Sequence, residues 1–137
     1  MLRTLVERQP LIVEHRRRLA QTLNNYAGLL VDLDRPFEAV EATAESVALQ
    51  RRLVDAAPER PSLRLNLLAT LGNHAWLMAC LGRTDQCKSC CEEARRLIAG
   101  TDGDVLDSER RQAALDHLAR IEQLSTRALP AQDDKQP

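Results

Sequence analysis

The nine residues from Thr22 to Leu30, TLNNYAGLL, return in altered form from Thr70 to Met78 as TLGNHAWLM. Sliding the chain along itself by 48 residues superposes Leu5 on Leu53, Val6 on Val54, Pro10 on Pro58, Arg16 on Arg64 and Leu19 on Leu67. The same shift then matches Thr22 with Thr70, Leu23 with Leu71, Asn25 with Asn73, Ala27 with Ala75, Leu29 with Leu77, Leu33 with Leu81 and Arg35 with Arg83, and continues to Glu45/Glu93 and Leu49/Leu97. No gap is needed. A gapless register of this length is the mark of a stacked supersecondary unit, and periods of ~20 to 50 residues are typical of solenoids. Two unrelated amphipathic helices would rarely also share a proline at the matching place, as Pro10 and Pro58 do.

Each unit reads as two helices. From about Leu11 to Leu33, apolar residues at Leu19, Leu23, Tyr26, Ala27, Leu30 and Leu33 follow the three-and-four spacing of one helical face. Pro36, tolerated in a first turn because its missing N–H would have had no partner there, opens a second helix to about Ala56. Its buried face is expected to carry Phe37, Val40, Thr43 or Ala44, Val47 and Leu53. A third helix, from about Pro61 to Leu81, buries Leu67, Leu71, Ala75, Met78 and Leu81. Gly82 ends it, Thr84 caps a fourth helix over Asp85 to Ala99, and Gly100 to Gly103 closes that one. A last helix over about 107–128, with Leu115, Leu118, Ile121 and Leu124 on one stripe and charges elsewhere, suits a terminal cap.

The expected fold is all-α: an α-α superhelix of antiparallel helix hairpins, with about five helices plus an N-terminal helical stub in residues 1–9. One domain covers 1–129, with repeats at about 11–58 and 59–103, and 130–137 form a disordered tail because they lack apolar residues able to offset ordering. Composition agrees. Leu and Ala dominate a 44% apolar content while Tyr26, Phe37 and Trp76 are the only aromatics, which suits closely approaching helices and not a sheet.

A formal charge of −1 gives no general attraction for phosphate backbones, so no nucleic-acid partner is expected. Charges interrupt the first residues where a secretory signal needs an apolar run, and no stretch approaches the ~18 apolar residues of a membrane span. A cytoplasmic protein with no membrane partner is the expectation. Cys80, Cys87, Cys90 and Cys91 are too crowded to staple distant segments and read as reduced thiols.

With a small residue in the middle of each first helix (Ala27, Ala75), Asp34-Arg35 and Gly82-Arg83 at the turns, and Phe37-Glu38-Ala39 opening a second helix, the chain resembles the tetratricopeptide repeat family in its long-period bacterial form. The resemblance covers about residues 11–100. It departs at Cys87, where alanine is expected, at His74, where the family has an apolar residue, and in lacking a proline after the last repeat. The resemblance implies that Ala27 meets Ala39 and Ala75 meets Cys87, since helices crossing at about 20° need small side chains at the contact. It also implies a non-enzymatic protein-interaction module that binds a peptide or protein segment in a concave groove. Carried over by register, the groove is lined by Gln21, Asn24, Asn25, Gly28 and Asp32 from one helix, and by Asn73, Trp76, Ala79 and Cys80 from the next.

Plainer readings stand beside this one. Asn25 and Asn73 could bond within the scaffold, and Trp76 could fill the space beside Gly28. Arg16, Arg17, Arg18 and Arg64 read as a solvated face. Cys87, Cys90 and Cys91 share a helical face, with Cys80 and His74 on the preceding helix, which suggests a zinc- or thiol-responsive switch as one alternative; plain core cysteine is the other. Self-association through exposed terminal helices is a further class. Catalysis has no support: His15, His74 and His117 lie on three helices, with no phosphate loop or nucleophile elbow, so no catalytic residue, cofactor or metal is expected.

Overall fold

The computed structural model describes the backbone of residues 10–134 and the side chains of residues 12–127. Five α-helices make up the described chain: α1 (Pro10–Asp32), α2 (Pro36–Ala56), α3 (Pro61–Cys80), α4 (Thr84–Ala99) and α5 (Ser108–Asp134). Among the described residues there is no strand, and the all-α class holds. The expected N-terminal stub lies outside the described residues. Helices α1, α2 and α3 each begin at a proline, whose fixed φ is already helical. The chain divides into two compact units, one ending at Thr70 and the other beginning at Leu71, so the boundary falls inside α3 rather than at the 58/59 junction of the sequence repeats.

In the first unit α1 and α2 pack along their length, joined by three residues. The turn between them is a Schellman motif. Arg35 N–H donates to Leu30 O at 2.8 Å and Asp34 N–H to Val31 O at 3.0 Å, with Asp34 in the left-handed region at φ 60°. The covered face of α1 carries Val13, Ala20, Ala27 and Leu30. This corrects the expected stripe: Leu19, Tyr26 and Leu33 are exposed, as is Phe37 on α2. The reason lies in α2, whose buried face sets the small residues Ala39, Ala42, Thr43 and Ser46 among Val40, Val47 and Leu53, with Thr43 inside and Ala44 outside. Small residues admit Ala20 and Ala27 closely, and Ser46 Oγ donates to Ala20 O at 2.8 Å. Val13, Leu53, Ala57 and Leu63, with Val54 against them, close the far end.

In the second unit the α3–α4 turn repeats the same motif. Arg83 N–H donates to Met78 O at 2.9 Å and Gly82 N–H to Ala79 O at 3.1 Å, with Gly82 at φ 73°. Asp34 and Gly82 are 48 residues apart, so the sequence register is also a register of backbone conformation. Helix α4 buries Cys87, Cys90, Cys91, Ala94 and Ile98 and packs on α5. Thr84 does not cap it: Arg83 holds the N-cap position and makes no side-chain capping bond, and the buried Thr84 Oγ1 has no partner among the described residues.

Asp107 starts α5 by accepting from Arg110 N–H at 2.8 Å. The helix buries Leu118, Ile121 and Ser125, while Leu124 lies outward. Arg95 on α4 pairs with Glu122 on α5 through both guanidinium nitrogens. The Arg111 guanidinium donates to Ile98 O, to Thr101 O at 2.6 Å and to Leu106 O at 3.1 Å, holding the α4–α5 loop. Helix α5 continues through Pro130 to Asp134, so residues 130–134 are helical where an unstructured tail was expected; 135–137 lie outside the described residues.

Candidate functional site

On α1, Gln21, Asn25, Gly28 and Asp32 fall at steps of four, three and four, which places them on one exposed helical face. Gln21 Nε2 donates to Asn25 Oδ1 at 3.2 Å. A β-carbon added at Gly28 would meet nothing within 4 Å, so that position faces open space. Asn24 is placed differently. It is half-buried, and its Nδ2 donates to Thr70 Oγ1 at 2.8 Å, whose hydroxyl in turn donates to Asn66 O at 3.0 Å. Asn24 is thus an internal link from α1 to α3 through its amide nitrogen, while its Oδ1 is buried with no partner among the described residues.

The remaining candidates belong to the second unit. Asn73 and Trp76 are exposed on α3, as is Cys80, whereas Ala79 is fully buried and so is not part of any lining surface. Trp76 is 42% exposed and does not fill a core gap. It stands at a cleft of about 360 Å³ whose other wall is α5: His117, Arg120, Gln123, Leu124 and Arg127, over a floor formed by Ile121. His117, Arg120, Leu124 and Arg127 follow three, four and three residues apart, the spacing of one helical stripe. Leu124, 38% exposed, adds a second apolar surface beside the indole. Among the described residues neither Arg120 nor Arg127 has a carboxylate within ion-pair distance.

Sequence reasoning found Trp76 but missed the α5 wall. It assigned Leu124 to the buried stripe and Arg120 to a solvated face, because a leucine outranks a serine as a core residue. Ser125 takes that inner place, 1% exposed and beside Cys87 of α4. The signal that could have found the cleft was the 117–120–124–127 spacing opposite the one tryptophan.

Three of the four cysteines behave as packing residues. Cys87, Cys90 and Cys91 are buried, and burial pushes the Cys87 thiol up and the Cys91 thiol up to about 12, the latter helped by Cys87 and Glu122 nearby. Cys91 Sγ points at Leu118 O, 4.0 Å away on α5. Among the described residues no three His, Cys, Asp or Glu side chains converge as a metal site, so the zinc alternative has no donor set there. No helix among them is long and apolar enough to cross a membrane.

The described chain is therefore all-α, with an amphipathic, arginine-flanked cleft in its second unit. Neither a family profile, nor a curated protein sequence, nor a solved structure matches it.

Proposed function

We propose that this protein is a non-enzymatic interaction module built from tetratricopeptide-like hairpins, and that its second unit holds a short segment of a partner protein in the Trp76 cleft. The observation that carries this reading is the half-exposed indole beside Arg120 and Arg127 in a cleft of about 360 Å³. Tryptophan and arginine are the side chains over-represented among residues that dominate binding energy. An indole and a leucine give an apolar anchor; two guanidinium groups select a carboxylate, from an acidic side chain or a chain terminus, and hold it with paired hydrogen bonds. The fitting ligand is a peptide with one apolar side chain next to a negative charge. The repeated Schellman turns support the repeat architecture, since equivalent positions in the two hairpins adopt equivalent backbones.

Trp76 is the protein's single tryptophan and reports on its own site. Titration with a panel of short peptides should change its emission for acidic–apolar sequences and leave it unchanged when the acid is replaced by an amide or a lysine. Arg120→Glu should weaken that response, and added salt should weaken it further. An emission insensitive to every acidic–apolar peptide, in protein of native helicity, refutes the reading.

A further inference from the structure

Helix α1 has two apolar faces, and among the described residues only one is covered. The inner face, Val13, Ala20, Ala27 and Leu30, lies against α2. The outer face carries Ile12, Leu19, Tyr26 and Leu33, each seven residues from the next, with Leu29 between the last two. Their exposures are 37%, 49%, 50%, 66% and, for Leu29, 61%. Five large apolar side chains in one straight line are not the scattered surface leucines of an ordinary domain.

The internal repeat says what kind of surface this is. Forty-eight residues on, the counterparts of Leu19, Tyr26 and Leu29 are Leu67, His74 and Leu77, and all three are buried, at 3%, 7% and 4%. The same helical face that is closed in α3 is open in α1. A seven-residue repeat of apolar positions is also what a helix presents when its partner is another helix lying nearly parallel to it.

We propose that the occupant of this face is a second copy of the chain, with the two α1 helices paired antiparallel. The charge pattern singles out that arrangement. Along one edge of the stripe Arg18, Asn25 and Asp32 also recur at intervals of seven, and all three are exposed. Arg18 is held only loosely, its Nε 3.6 Å from Glu14 with 72% of the side chain exposed. In an antiparallel pair with its two-fold axis near Asn25, Arg18 of each copy falls beside Asp32 of the other, and the two Asn25 carboxamides meet. Across the seam Leu19 packs on Leu29, and Tyr26 lies over Thr22. In a parallel pair the edges carrying Arg18 and Asp32 would lie on opposite sides of the seam, and this charge match would be lost.

The surface is modest in size. From Ile12 to Leu33 the stripe is about 32 Å long at 1.5 Å per residue, and a contact strip ~15 Å wide on each copy buries roughly 1,000 Å² in total, at the lower edge of specific interfaces. Association is accordingly a reversible monomer–dimer equilibrium in the micromolar range. It does not depend on the Trp76 cleft, so either proposal can fail alone.

The test is sedimentation velocity and light scattering on the full chain from about 1 µM to about 1 mM, the range in which an interface of this size populates both states. Mass should rise with concentration from one chain to two. Leu29→Glu and Tyr26→Arg should leave a monomer of native helicity. Arg18→Asp should weaken association roughly tenfold, and adding Asp32→Arg to it should restore it. In a Cys80→Ser background, Asn25→Cys should form an oxidised dimer readily and Arg18→Cys should not. A monomer throughout the range, a dimer indifferent to Leu29→Glu, or preferential self-linking through Arg18→Cys overturns the proposal. Peptide-induced changes in Trp76 emission should be the same in Leu29→Glu as in the native chain.

Discussion

Replacing Gly82 by alanine and Asp34 by glycine should move stability in opposite directions, although the two residues hold the same place in the same turn. Both are in the left-handed region, at φ 73° and 60°. There a β-carbon meets the following carbonyl at a cost of about 1–2 kcal/mol. Gly82→Ala incurs that strain but also makes the unfolded chain less free, which returns roughly 0.5–1 kcal/mol. The net loss should be about 1 kcal/mol, or a fall of roughly 3–5 °C in Tm for a chain of this size. At Asp34 the strain is already present, softened because aspartate tolerates this region better than most residues, so Asp34→Gly should gain roughly 0.5 kcal/mol. Urea unfolding followed by helical circular dichroism measures both. The hydrogen bonds of the motif are backbone only, at 2.8–3.0 Å in the first turn and 2.9–3.1 Å in the second, so no side-chain contact confuses the comparison. A neutral Gly82→Ala, or a destabilising Asp34→Gly, would show that the two turns are not equivalent and would remove the main support for the repeat.

The other glycines of the helices should respond with the opposite sign. Gly28→Ala, with nothing within 4 Å of the new β-carbon, and Gly72→Ala, whose nearest neighbour is His117 Cδ2 at 4.0 Å, should each stabilise by about 0.5–1 kcal/mol in the same unfolding assay. Arg111→Met keeps the aliphatic stem but removes the donors to Ile98, Thr101 and Leu106; the loss should be about 2–3 kcal/mol, with hydrogen exchange in residues 100–107 accelerating first. The fold stabilises Cys91 as a neutral thiol, so its contribution is complete below the ordinary thiol pKa of 9.0 and is lost as pH rises towards about 12. The urea midpoint should therefore drop once the pH passes the ordinary thiol value, and Cys91→Ala should flatten the drop.

How much of this was legible in the sequence varied with the kind of signal. The five helices were readable because prolines at 10, 36 and 61 and the Asp34 and Gly82 turns punctuate them sharply. The face of α1 was not. A helix with Ala20 and Ala27 inside and Leu19 and Tyr26 outside defeats a reading that assigns the larger apolar residue to the core. The same rule misplaced Phe37 and Leu124. Of the residues carried over from the resemblance, Gln21, Asn25, Gly28, Asp32, Asn73 and Trp76 are exposed, but the internal role of Asn24 was not legible, since it depends on the hydroxyl of Thr70 46 positions away. Nor could the resemblance find Arg120 and Arg127, since α5 lies outside the repeated stretch and has no counterpart from which to transfer a role.

The single guanidinium of Arg111 works as a ruler for the loop it gathers. Its donors reach carbonyls at both ends of that connection, Ile98 at the close of α4 and Leu106 just before α5. An extended residue adds about 3.5 Å of chain, so a two-residue insertion there would carry some of those oxygens past anything a side chain rooted at position 111 can touch. The permitted spacing between the last two helices is thereby tied to the reach of one side chain, and any lengthening would call for a new donor within the inserted segment.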